Sequence, residues 1–200
     1  MNWLTNSPVR NGAALVAVVG LGLGGAHLAS SDQAARHHDR MMNNHVHDGA
    51  GHDEVTMPGL RGENASPQES AELEVLFRNF DTITREVENL PNGIRTVTRS
   101  SDQTVMDHLV NHAVGMIDRV GQMDDPKIRI QSPTLDIFFL RGDRILSYIE
   151  MTDDGLIITQ TSEDPEIVAA LQTHAAEVTA MSDHGMQAVH EMMMERGISH

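Results

Sequence analysis

Histidine and methionine are the residues through which this chain can do chemistry: 12 His and 13 Met stand among 200 residues, beside one Trp, one Tyr and no Cys. Imidazole nitrogen and thioether sulfur together suit copper in both oxidation states, the thioether favouring the softer Cu(I). The lack of cysteine removes disulfides, thiolate nucleophiles, zinc–cysteine sites and covalent haem attachment through Cys-x-x-Cys-His. Any metal must be held by imidazole, thioether and carboxylate.

These residues cluster in three places. His108, His112 and Met116 recur every fourth residue, which puts them on one side of a helix, where two imidazoles one turn apart can chelate an ion. Near the C-terminus His184, Met186, His190 and Met194 repeat the theme, with Met192 and Met193 alongside. His37, His38, His45, His47 and His52 form the third group, with Met41, Met42 and several Asp, in a tract without apolar periodicity. Such a tract has the composition of a flexible linker able to gather imidazoles round a metal. Each group also has a plainer reading. Helical methionines fill cores and oligomer seams, the polar tract can be a solvated tether, and His112 flanks Leu109 and Ala113 as a packing histidine would.

Signatures of catalysis are missing. No Gly-x-Ser-x-Gly, His-Glu-x-x-His or P-loop occurs, and Glu86, Glu88 and Glu150 read as solvated helix faces, so a non-enzymatic protein is expected. Asp and Glu number 29 against 14 Lys and Arg, a formal net charge of −15 that repels nucleic acid and anionic membrane surfaces.

Arg10 is followed by an uncharged, Ala/Val/Leu/Gly-rich run from Ala13 to Ala29, the pattern of an export signal. Small residues around Ala26 and Ala29 offer cleavage sites; if uncleaved, residues 13–29 would anchor the chain in the inner membrane. Either way a periplasmic or extracytoplasmic location is expected. Gly20, Gly22 and Gly25 satisfy Gly-x-Gly-x-x-Gly, but the polar residues that follow lack the βαβ context a dinucleotide site requires.

The elements that must position the central histidines begin at Ser66. Ser66-Pro67-Gln68-Glu69 is a capping box, and Leu73, Leu76, Phe80, Ile83, Val87 and Leu90 form an apolar stripe at helical spacing, predicting a helix that Pro91-Asn92-Gly93 stops. Ile94 to Arg99 is β-branched and predicts a strand; Asp102 to about Val120 predicts a second helix. A shift of 62 residues then aligns, without a gap, Asp81, Ile83, Glu88, Gly93, Ser100, Asp102, Leu109, His112 and Ala113 with identical residues from Asp143 to Ala175. That regularity points to a tandem duplication. His174 is the counterpart of His112, whereas Ala170 and Val178 replace the outer His108 and Met116.

The motifs Asp81-Thr82-Ile83, Pro91-Asn92-Gly93-Ile94, Thr98-Arg99-Ser100-Ser101-Asp102 and His112-Ala113, with a looser second copy, resemble a family of small, largely uncharacterised bacterial proteins built from this doubled unit. The resemblance spans roughly Leu73 to Thr179. Members of that family often carry His immediately before the Asp, where this chain has Phe80 and Gly142, so the resemblance implies an altered site.

The fold expected is α+β: two α-β-α repeats over 66–127 and 128–179, their strands paired antiparallel about a pseudo-twofold with helices packed on the ribbon. An export segment (1–29) and a disordered linker (30–65) precede them, and a Met/His-rich helix (180–200) follows. The function expected is extracytoplasmic metal binding, copper first, for buffering, delivery or resistance. Two alternatives stand beside it. One is a non-covalent haem or electron-transfer protein with His112 and His174 as axial ligands. The other is an acidic interaction module, dimeric through its methionines.

Overall fold

The structure, a computed structural model, describes residues 57–153, 155–195 and 197. The export segment and His37, His38, His45 and His47 lie outside the described residues.

Helix α1 (Pro67–Arg78) starts as its capping box dictates: Ser66 Oγ accepts from the Glu69 N–H at 3.2 Å, and the Glu69 carboxylate accepts from the Ser66 N–H at 2.6 Å. It ends twelve residues before Leu90, because the Asn79 side chain donates back to Val75 O at 2.7 Å. The helix expected to continue through Leu90 is instead strand β1 (Ile83–Leu90), entered by a 3-10 turn over Phe80–Thr82. The three-and-four spacing of Ile83, Val87 and Leu90 was compatible with a helix. A single two-stranded ribbon is marginally stable in water, however, and β1 supplies β2 (Gly93–Ser100) with a hairpin partner through Pro91-Asn92. Each half is therefore α-β-β-α.

Asp102 caps α2 (Gln103–Gln122) by accepting from the Thr104 and Val105 N–H groups at 2.7 and 3.2 Å. The second half follows as short α3 (Asp136–Leu140), β3 (Leu146–Thr152), β4 (Gly155–Thr161), α4 (Pro165–His184) and α5 (Met186–Glu195). Asp164 caps α4 as expected.

The four strands form one antiparallel sheet in the order β1-β2-β4-β3, with β2 against β4 at its centre. Thr96 pairs with Ile158, its own counterpart at the 62-residue shift, so a twofold through this pair relates the registers of the two halves. The hairpins obey the same shift: Thr84 faces Arg99 in one and Leu146 faces Thr161 in the other. Helices α2 and α4 both end on a residue of positive φ, Met123 at 56° and Gly185 at 58°.

Each half's long helix reaches across to the other half. The C-terminal end of α2 presses on the turn before β3, where a Cβ on Gly142 would lie 1.8 Å from Val120 O. The end of α4 meets the turn before β1, where a Cβ on Gly185 would lie 2.7 Å from Phe80 Cδ1. This exchange lets the two halves close one core, centred on Ile94, Phe138, Ile145, Ile167, Leu171 and Ala175. Leu60 is only 2% exposed and Gly62 bridges Ile128, so packing begins before Ser66, within the stretch assigned to the linker on composition.

Candidate functional site

Between the sheet and the helices lies an apolar cavity of about 300 Å³. Its floor is the sheet face carrying Ile94, Thr96 and Thr98 of β2 with Ile158 and Gln160 of β4; its walls include Leu109, Ala113 and Met116 of α2 and Val178 of α4. The alternation of a strand and the stripe of a helix put these side chains on one interior. Sites for small molecules have this character, a mostly apolar lining with a few polar groups, and run from about 300 to 1,000 Å³.

Two of those polar groups are the histidines 62 residues apart. His112 and His174 both line the cavity, one from each long helix, and Met116 lines it a turn beyond His112. His112 is half-buried with its Nδ1 shut off from solvent, and desolvation pushes its pKa down to about 4; the neighbouring His174 adds to the depression while Glu69 opposes it. Its imidazole is therefore neutral near pH 7, the form that can ligate a metal or accept a hydrogen bond. His112 Nδ1 is buried without a hydrogen-bond partner.

His174 is held more firmly. Its ring meets Phe138 edge-on at 5.8 Å between centroids, and its Nδ1 lies 3.6 Å from Glu177 Oε2. The other oxygen of Glu177 accepts from the Ser132 and Thr134 hydroxyls at 2.9 and 3.0 Å. The contact from the imidazole to Glu177 is longer than a hydrogen bond, so His174 Nδ1, like that of His112, is buried without a hydrogen-bond partner.

The remaining sequence candidates are not gathered here. His108 does not line the cavity, although its Nδ1 is likewise buried without a partner. His184, His190 and Met194 are exposed and Met186 partly buried, at the end of α4 and along α5. Among the described residues, no group of three His, Asp or Glu is arranged to hold a metal ion. Of the two positions where the resemblance implies histidine, Phe80 lines the cavity. Gly142, closed by Val120 O, has no room for a side chain on this backbone.

Arg85 is a charged lining group that the sequence did not reveal, because its segment was assigned to a helix. On β1 it sits two residues from Ile83 and Val87, so it shares their side of the strand and reaches the cavity. The Arg85 Nε atom is buried without a partner, and Nη1 reaches only Thr98 Oγ1, at 3.4 Å. Burial pulls the guanidinium pKa down to about 10, which leaves it charged at neutral pH.

Fold and site together define an α+β domain built round an apolar cavity, with two imidazoles and a guanidinium among its lining groups. The chain matches no protein-family model, no curated protein and no solved structure.

Proposed function

We propose that this protein is an extracytoplasmic binding protein that encloses one small, mainly apolar molecule in its central cavity, with His112 and His174 among the polar contacts. The observation that carries the reading is the cavity itself, an apolar interior of about 300 Å³ into which the two halves contribute equivalent histidines. At about 30 Å³ per water, that space corresponds to about ten waters, enough for a compact organic ligand. The duplicated unit, taken as a tandem duplication, explains why the site is shared: neither half alone would enclose it.

Haem held by His112 and His174 is the cofactor form of this proposal. A tetrapyrrole is larger than the cavity and would have to part the helices to enter. Copper binding is the second reading, favoured by α2 itself: His108 and His112 stand one turn apart with unpartnered Nδ1 atoms, and Met116 follows.

Titration of the purified protein with the neutral fluorescent probe N-phenyl-1-naphthylamine tests the main reading. Saturable one-to-one binding is expected, and Ala113→Trp, which fills the cavity, should abolish it while the far-ultraviolet circular dichroism is kept. Absence of saturable binding by the parent, or undiminished binding by the filled variant, refutes the reading. Parallel titrations with haemin and with copper ions, on the parent and on His112→Ala and His108→Ala, separate the other two. A Soret shift that depends on His112 marks haem, and metal uptake that depends on both histidines marks copper.

A further inference from the structure

We infer that the natural occupant of the cavity is an amphipathic monocarboxylate, its carboxylate on Arg85 and its apolar body between β2, β4 and α2. The inference rests on the cavity reading and goes beyond it by naming the ligand's class.

The case starts from a broken symmetry. Arg85 faces Thr98 in the first hairpin, and the 62-residue shift carries this pair onto Ser147 and Gln160 of the second. In the second half the pair is self-sufficient, since Gln160 Nε2 donates to Ser147 Oγ at 3.2 Å and Ser147 is 7% exposed. In the first half, the place of that small hydroxyl is taken by a guanidinium whose Nε is buried without a partner. No carboxylate lies within 4.0 Å of Arg85 among the described residues, although the same domain pairs Arg78, Arg99, Arg119, Arg141 and Arg144 with carboxylates. Arg85 is half-buried with its Nε shut off from solvent, and a charge drawn even partly out of water without a counter-charge is unfavourable unless something else supplies the opposite charge.

The chemistry of that missing partner follows from the lining. A guanidinium presents a planar fork of donors that fits one carboxylate. The cavity that Arg85 lines also carries uncharged polar groups, Thr96, Thr98 and Gln160, the two imidazoles of His112 and His174, and a larger apolar surface that includes Ile158, Leu109 and Met116. One charged end and an apolar remainder describe an organic monoanion. A volume near 300 Å³ suits a chain of about ten carbons, since a water's share of liquid volume, about 30 Å³, is close to that of a methylene.

Displacement of N-phenyl-1-naphthylamine by decanoate and by 1-decanol, at pH 7.5, tests this. The parent should bind decanoate at least tenfold more tightly than 1-decanol. Within the n-alkyl carboxylates, affinity should rise about fourfold per methylene until the cavity is full near ten carbons. Arg85→Gln should remove the preference for decanoate and leave 1-decanol binding in place. The apo form of Arg85→Gln should also melt no lower than the parent, because it removes an uncompensated buried charge. Should that variant fail to fold, Arg85→Lys keeps the charge but not the fork and should cut the preference at least threefold. Equal affinities for decanoate and decanol in the parent overturn the inference, as does a preference that survives in the variants. If the probe binds and neither compound displaces it, the carboxylate inference falls while the cavity reading stands. If the probe does not bind, both fall.

Discussion

Between neutral pH and about pH 4.5, acidification should destabilise this domain through His112. In the folded protein its pKa is about 4, against 6.5 for an unperturbed imidazole. At pH values below 6.5 the unfolded chain therefore takes up a proton that the folded chain refuses, so the stability is complete above pH 6.5 and is lost as pH falls towards 4. The gap corresponds to about 3 kcal/mol at 1.36 kcal/mol per pH unit, of which about 2.5 kcal/mol falls between pH 7.5 and 4.5. That is a large part of the 5–15 kcal/mol typical of a whole domain. The cause is desolvation of the ring in the cavity wall, so His112→Leu, which cannot protonate, should abolish this component. Urea unfolding of both proteins from pH 7.5 to 4.5 provides the comparison. Titrations of groups not coupled to His112 are common to the two chains and cancel in the difference, which leaves His112 with its coupling to Glu69 and His174. The two stability curves should converge, or cross, by about 2.5 kcal/mol over that range. If they run parallel to within about 1 kcal/mol, the imidazole is not held neutral by burial and its place in the cavity wall is wrong.

Three further outcomes are expected. Arg119 holds the Glu69 carboxyl at about pKa 2, below the ordinary 4.5, through contacts of 2.5 and 3.0 Å. Glu69→Gln should therefore cost about 1–2 kcal/mol at pH 7, and the difference from the parent should vanish as pH falls from about 4.5 to about 2, read by the same urea series. Gly142→Ala forces a Cβ against Val120 O and should destabilise by about 2 kcal/mol or more, whereas Gly115→Ala, on α2 with open space round its Cβ, should stabilise by about 0.5–1 kcal/mol. Thermal melts of the two variants should move in opposite directions. A fusion of residues 1–40 to a reporter active only outside the cytoplasm should be active, and a silent fusion would remove the support for an extracytoplasmic role.

Much of the framework was legible because it rests on local rules. Ser66, Asp102 and Asp164 cap helices by bonds within three residues, which a sequence displays directly. The 62-residue shift named His112 and His174 as counterparts, and antiparallel pairing of Ile94 to Arg99 with Leu156 to Thr161 followed from the need to satisfy two short strands. The register itself was left open, since any two residues 62 apart could sit at the centre of such a pairing, and the structure selects Thr96 with Ile158.

What tertiary structure alone decided is where a segment compatible with two periods would go, and what that choice put inside. Ile83, Val87 and Leu90 lie at spacings that serve a helical stripe, while Ile83, Arg85 and Val87 also serve one face of a strand; only the presence of β2 as a partner selects the strand. That selection carries Arg85 from an exposed helix surface to the floor of a cavity. Burial of His112 is likewise a property of the assembled halves, because its neighbours Glu69 and His174 come from 43 residues before and 62 residues after it. Sequence periodicity reports which residues share a side of their own element. It does not report which elements meet, and desolvation, the force that sets the chemistry of His112 and Arg85, exists only where they do.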